Sequence, residues 1–73
     1  MKITIIIHRP HKTITRIAHN AWDINDKVYE TLTRYGIEEL EAIECASWCE
    51  LASYGDTYIT EKFGVYIEDE EEE

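Results

Sequence analysis

The sequence predicts a small α+β domain: a single-layer sheet with antiparallel pairs and two helices packed on one face, in the order β-β-α-α-β. Three observations carry that expectation. Residues 2–8, Lys-Ile-Thr-Ile-Ile-Ile-His, are rich in β-branched residues, as a strand requires. Two central stretches, closing at Gly36 and Gly55, carry apolar residues at helical spacing. Residues 63–67, Phe-Gly-Val-Tyr-Ile, alternate like a half-buried strand.

In the first strand Ile3, Ile5 and Ile7 share one face and Ile6 lies on the other, so both sides are partly apolar and the strand belongs inside the sheet. Arg9-Pro10-His11-Lys12 follows as a turn, because proline cannot donate to a ladder. Residues 13–19 admit two readings. Thr13-Ile14-Thr15 is strand-like, whereas Ile14, Ile17, Ala18 and Ala21 fall at helical spacing. A strand pairing back on the first as a hairpin is preferred, and the helical alternative would extend the next element.

The first helix is expected over residues 24–35, with Asp23 as N-cap and Asp26 near the positive end of the dipole. Ile24, Val28, Leu32 and Tyr35 repeat along it, and Gly36 supplies a left-handed residue at its end. The second is expected over Ile37 to Ser53 and has two apolar sides. Ile37, Leu40, Trp48 and Leu51 form one, and Ala42, Cys45, Ala46, Cys49 and Ala52 the other. Both need covering, one by the sheet and one by the other helix or a partner. A competing parse makes residues 40–45 a strand, with Ser47-x-x-Glu50 as a capping box for a shorter helix. Beyond Gly55, Tyr58-Ile59 is a candidate extended segment, and residues 63–67 close the sheet by pairing with the first strand. Residues 1–67 thus read as one globular domain and 68–73, Glu-Asp-Glu-Glu-Glu-Glu, as a disordered acidic tail.

At 73 residues the chain has a thin core. No stretch approaches the ~20 apolar residues of a membrane helix. Met1-Lys2 leads into an apolar run far short of a signal peptide, and two cysteines four apart make no disulfide framework. A cytoplasmic protein with reduced thiols and no membrane association is expected.

Charge is divided unevenly. Residues 1–36 carry six Lys/Arg against three Asp/Glu, and residues 37–73 carry one against thirteen, within a net charge of −9. Such a balance argues against direct nucleic-acid binding, which runs on Lys/Arg. Lys2, Arg9, His11, Lys12 and Arg16 on the hairpin are the candidate exception as a local basic patch, although solvated strand and turn residues that keep the edges soluble are the preferred reading of them. Without residues 68–73 the count is seven Lys/Arg against ten Asp/Glu, an ordinary balance.

The chemical candidates are few. His8-x-x-His11 with Cys45 and Cys49 offers two nitrogens and two sulfurs for zinc, but the spacings are unlike those of familiar zinc modules. Thiols among alanines are also ordinary helix-contact residues. Cysteine with histidine as nucleophile and base, or His19 oriented by Asp23, lacks any accompanying catalytic motif. No cofactor and no enzymatic activity are expected.

The remaining clue is the acidic helix surface. Glu38, Glu41, Glu44 and Glu50, with Trp48 as an aromatic anchor, are the expected partner-binding residues. Regularly placed carboxylates can stand in for nucleic-acid phosphates and compete for a basic groove. In profile the chain resembles small acidic phage inhibitors of host nucleic-acid enzymes, including inhibitors of CRISPR and restriction systems. That resemblance implies an anti-defence nucleic-acid mimic. The expected function is therefore that of a non-enzymatic protein-binding domain, which inhibits or modulates a partner with a basic, nucleic-acid-binding surface. The alternative is a small structural or regulatory module acting through homodimerisation.

Overall fold

In a computed structural model the chain is described over residues 2–51 and 57–70. Six elements run in the order β1 (Lys2–Arg9), β2 (Lys12–Ala18), α1 (Ala21–Arg34), α2 (Glu39–Leu51), β3 (Thr57–Ile59) and β4 (Gly64–Glu70). The four strands form one sheet in the order β2-β1-β4-β3, and every pairing is antiparallel. Both helices lie on one face, so the α+β architecture is the one expected, with β3 added as a short edge strand.

The sheet is organised around β1. Its partner in β2 is set by the Pro10-His11 turn, which brings Arg9 opposite Lys12 and Ile3 opposite Ala18. The strand reading of residues 13–19 therefore holds, and the helical alternative fails. On the other side Ile5 faces Ile67 and Ile7 faces Val65, the expected pairing of the two most apolar strands. Because side chains alternate along a strand, Ile3, Ile5, Ile7, Val65 and Ile67 all point at the helices and are buried. Ile24, Val28 and Leu32 of α1 and Ala42, Cys45, Ala46 and Cys49 of α2 meet them.

β4 runs further than the sequence suggested. Glu68, Asp69 and Glu70 lie opposite Thr4, Ile3 and Lys2, so the first half of the acidic run continues the ladder rather than leaving it. The physical reason is register: β1 begins at Lys2, and its backbone groups there need partners. Residues 71–73 lie outside the described residues, as does the segment after Leu51 that includes Ala52 and Ser53.

The start of α1 also differs. The N-cap is Asn20, not Asp23: its backbone is extended, and its side-chain oxygen accepts the Asp23 backbone N–H at 2.8 Å. Asp23 occupies the third helical position, where it accepts the His19 backbone N–H at 3.1 Å and pairs with Lys27 at 3.1 Å. Asparagine, three residues earlier, satisfies the same orphan donors and adds a turn to the helix. The end is as expected. Gly36 takes φ 91°, its N–H bonds to Thr33, and the Ile37 N–H bonds to the Leu32 carbonyl at 2.9 Å. Ile37 and Leu32 are both buried, which completes a Schellman motif with its apolar contact.

Candidate functional site

α2 positions most of the expected binding residues, and its sequence explains how. Its core-facing side consists of Ala42, Cys45, Ala46 and Cys49, small residues that let it lie close against α1. The large aliphatics are turned away from the core. Leu40, Ile43 and Leu51 are 71%, 44% and 86% exposed. At 3.6 residues per turn they fall on one outward stripe with Glu44 and Ser47. The two-sided character read from the sequence is real, but the split is different. Ile37 is buried in the core and Trp48 is half-buried, so neither belongs to the outward stripe. The strand parse of residues 40–45 is excluded, because that segment is helical.

The five expected contact residues do not form one patch. Glu38 is exposed ahead of the helix, where its carbonyl accepts the Ala42 N–H at 2.9 Å. Glu44 is exposed on the outward face. Glu41 is half-buried and paired with Lys62 at 3.6 Å, which ties α2 to the β3–β4 turn. Glu50 accepts a hydrogen bond from the Asn25 side chain at 2.9 Å and so binds α2 to α1. Trp48 packs tilted against Tyr58, ring centroids 5.3 Å apart, and Tyr58 stacks on Phe63 at 6.2 Å. It is thus a wedge between α2 and β3. Partial burial, with the Glu44 and Glu41 carboxylates nearby, pushes the Tyr58 hydroxyl above its ordinary range.

From sequence, Leu40 and Leu51 are part of an apolar side in need of cover, Ile43 is assigned to neither side, and none of the three is among the expected contact residues. Their signal was present in the excess of apolar positions on a helix whose opposite side was already occupied by alanine and cysteine.

The cations are distributed very differently. Arg9 donates to the Tyr35 carbonyl at 3.1 Å, closing the end of α1, while the Lys12 ammonium sits 5.1 Å from the Tyr35 ring centre. Arg16 donates to Thr31 at 2.7 Å and pairs with Glu30, as does Arg34. Lys27 and Lys62 have the partners already given. Every lysine and arginine whose side chain is described is thus engaged within the molecule. On α2, by contrast, Glu39, Glu44 and Glu50 form no ion pair with another described residue, and the helix carries no Lys or Arg.

The metal and catalytic candidates are not brought together. His8 alternates with inward-facing Ile7, so it lies on the open face of the sheet, where its ring contacts Thr13. Cys45 and Cys49 are buried on the helix side, sulfurs 4.0 Å apart. Among the described residues no group of three or more His, Cys, Asp or Glu is placed to hold a metal ion. The Cys49 thiol contact, and burial with it, push the Cys45 thiol well above its ordinary range. Asp23 meets His19 through the backbone N–H, not the ring.

Compared with protein-family models, with curated proteins and with solved structures, the chain matches none. No helix among the described residues is long and apolar enough to cross a membrane.

Proposed function

We propose that this protein is a non-enzymatic, cytoplasmic protein-binding domain that uses the outward face of α2 to inhibit or modulate a partner with a basic surface. The observation that carries this reading is the pairing of an exposed aliphatic stripe, Leu40, Ile43 and Leu51, with carboxylates that have no cation of their own helix to answer them. Exposed large apolar residues gathered on one helix face mark interaction surfaces. The border of negative charge selects a positively charged counterpart and speeds encounter. A nucleic-acid-binding protein supplies such a counterpart, and the carboxylates of α2 then occupy ground otherwise taken by phosphates.

The test is a binding titration against the partner at several salt concentrations. Wild-type affinity is expected to fall steeply as salt rises, since exposed charges are screened beyond ~10 Å at 0.1 M. Glu44→Lys places a like charge against the basic surface and should weaken binding by at least tenfold, a loss on the order of 1.4 kcal/mol or more. Binding that ignores salt and Glu44→Lys, yet disappears on changes at Arg9, Lys12 and Arg16, would move the site to the hairpin.

A further inference from the structure

The shape of the α2 surface narrows the kind of element that can cover it. At 3.6 residues per turn the side chains of Leu40, Ile43 and Leu51 spread over roughly 80° of the helix circumference. From Leu40 to Leu51 the stripe runs eleven residues along the helix, about 16 Å at 1.5 Å per residue. Carboxylates border it on both sides. Glu41 and Glu44 follow the edge toward β3, where Glu41 meets Lys62, and Glu39 and Glu50 follow the edge toward α1, where they accept from Tyr29 and Asn25. A flat surface would touch the ridge along a line only and leave both acidic borders facing water. A helix laid along it can seat side chains between Leu40, Ile43, Ser47 and Leu51 and reach both borders with flanking residues.

Charge decides which helix. A second copy of α2 would bring glutamates against glutamates along both borders, answered among the described residues only by Lys62 beside Glu41, which disfavours self-pairing through this face. A helix with an apolar stripe flanked by lysine or arginine satisfies the ridge and both borders together. We infer that α2 receives one basic amphipathic helix of its partner, about three turns of which lie along the Leu40–Leu51 stripe. This inference rests on the protein-binding reading above and specifies the contacting element.

Peptides of leucine and lysine, about 18 residues long, test it on the full chain. One arranges leucine as a helical stripe, a second alternates leucine and lysine so that no helical stripe exists, and a third replaces lysine by glutamate in the first. The helical basic peptide should bind at least tenfold tighter than the alternating one. Its amide shift changes should map to α2, and Leu40→Ser with Leu51→Ser should weaken it at least tenfold. Both positions are exposed, and an unchanged melting curve would confirm that the double variant is folded. Equal binding of the two basic peptides overturns the helix inference and leaves the acidic protein-binding reading standing. Binding of neither basic peptide, or preference for the acidic one, overturns both. Sedimentation as a dimer that Leu40→Ser and Leu51→Ser dissolve also overturns the inference, because the ridge would then be occupied by a second copy.

Discussion

Truncating Ile5 to alanine tests the placement of the core. Ile5 sits at the middle of β1, opposite Arg16 in β2 and Ile67 in β4, and has no solvent-accessible surface. The change removes three carbons from the core cluster that the sheet's inward residues share with both helices. Comparable isoleucine truncations destabilise by about 2–5 kcal/mol, the spread reflecting how far the site collapses. A domain of this length has a total stability on the order of 4–11 kcal/mol, from roughly 0.05–0.15 kcal/mol per residue. The loss is therefore a large fraction of the whole, and at about 4–8 °C per kcal/mol it should lower the melting temperature by roughly 8–40 °C. Leu40→Ala is the control: an aliphatic of similar size, but 71% exposed, whose loss should stay within about 0.5 kcal/mol. Far-ultraviolet circular dichroism during heating, with urea melts to confirm an unchanged m value, measures both. A melting temperature that barely moves for Ile5→Ala, or falls equally for Leu40→Ala, would refute the inward facing of β1 and the outward facing of Leu40.

Three further outcomes follow from the local chemistry. Asn20→Ala should cost about 0.5–2 kcal/mol by removing the N-cap acceptor, while Asp26→Ala should stay within about 0.5 kcal/mol, as urea melts of each will register. Lys27 and the His19 backbone N–H hold the Asp23 carboxyl below its ordinary value of 3.8, so its contribution is present above that value and is lost as pH falls through the lowered one. Asp23→Asn should therefore reduce stability at neutral pH and make no difference in strong acid, and equal loss at both would contradict the pairing. The two cysteines should react slowly with a disulfide reagent at pH 8 in the folded protein and rapidly in urea, because both are buried and the Cys45 thiolate is disfavoured. Rapid labelling without denaturant would show that α2 does not present its small-residue side to the core.

How much of this was legible in the sequence depends on the range of the signal. β1, α1 and the pairing of β1 with β4 could be read because Ile3, Ile5 and Ile7, the repeat through Ile24, Val28 and Leu32, and Gly36 express their structure locally. The N-cap was misplaced by three residues because Asp23 and Asn20 both suit the role, and only the bond to the Asp23 N–H distinguishes them. The extension of β4 through Glu68–Glu70 was hidden because composition alone gives an acidic run no reason to pair, whereas the register of β1 does. At the candidate site, Glu38 and Glu44 were found as exposed carboxylates, but Glu41, Trp48 and Glu50 are drawn into contacts with Lys62, Tyr58 and Asn25. Those partners lie on other elements, and no spacing within α2 encodes them.

The central claim, that the outward face of α2 is the binding surface, is tested most directly by photo-crosslinking in the host cell. A benzophenone amino acid is placed at Ser47 in the stripe, at Thr15 on the open face of the sheet, or at Lys12 in the hairpin; all three positions are exposed. The account predicts partner adducts from position 47 that diminish with Glu44→Lys, and none from positions 15 and 12. Adducts from position 15 or 12, with position 47 silent, would contradict it.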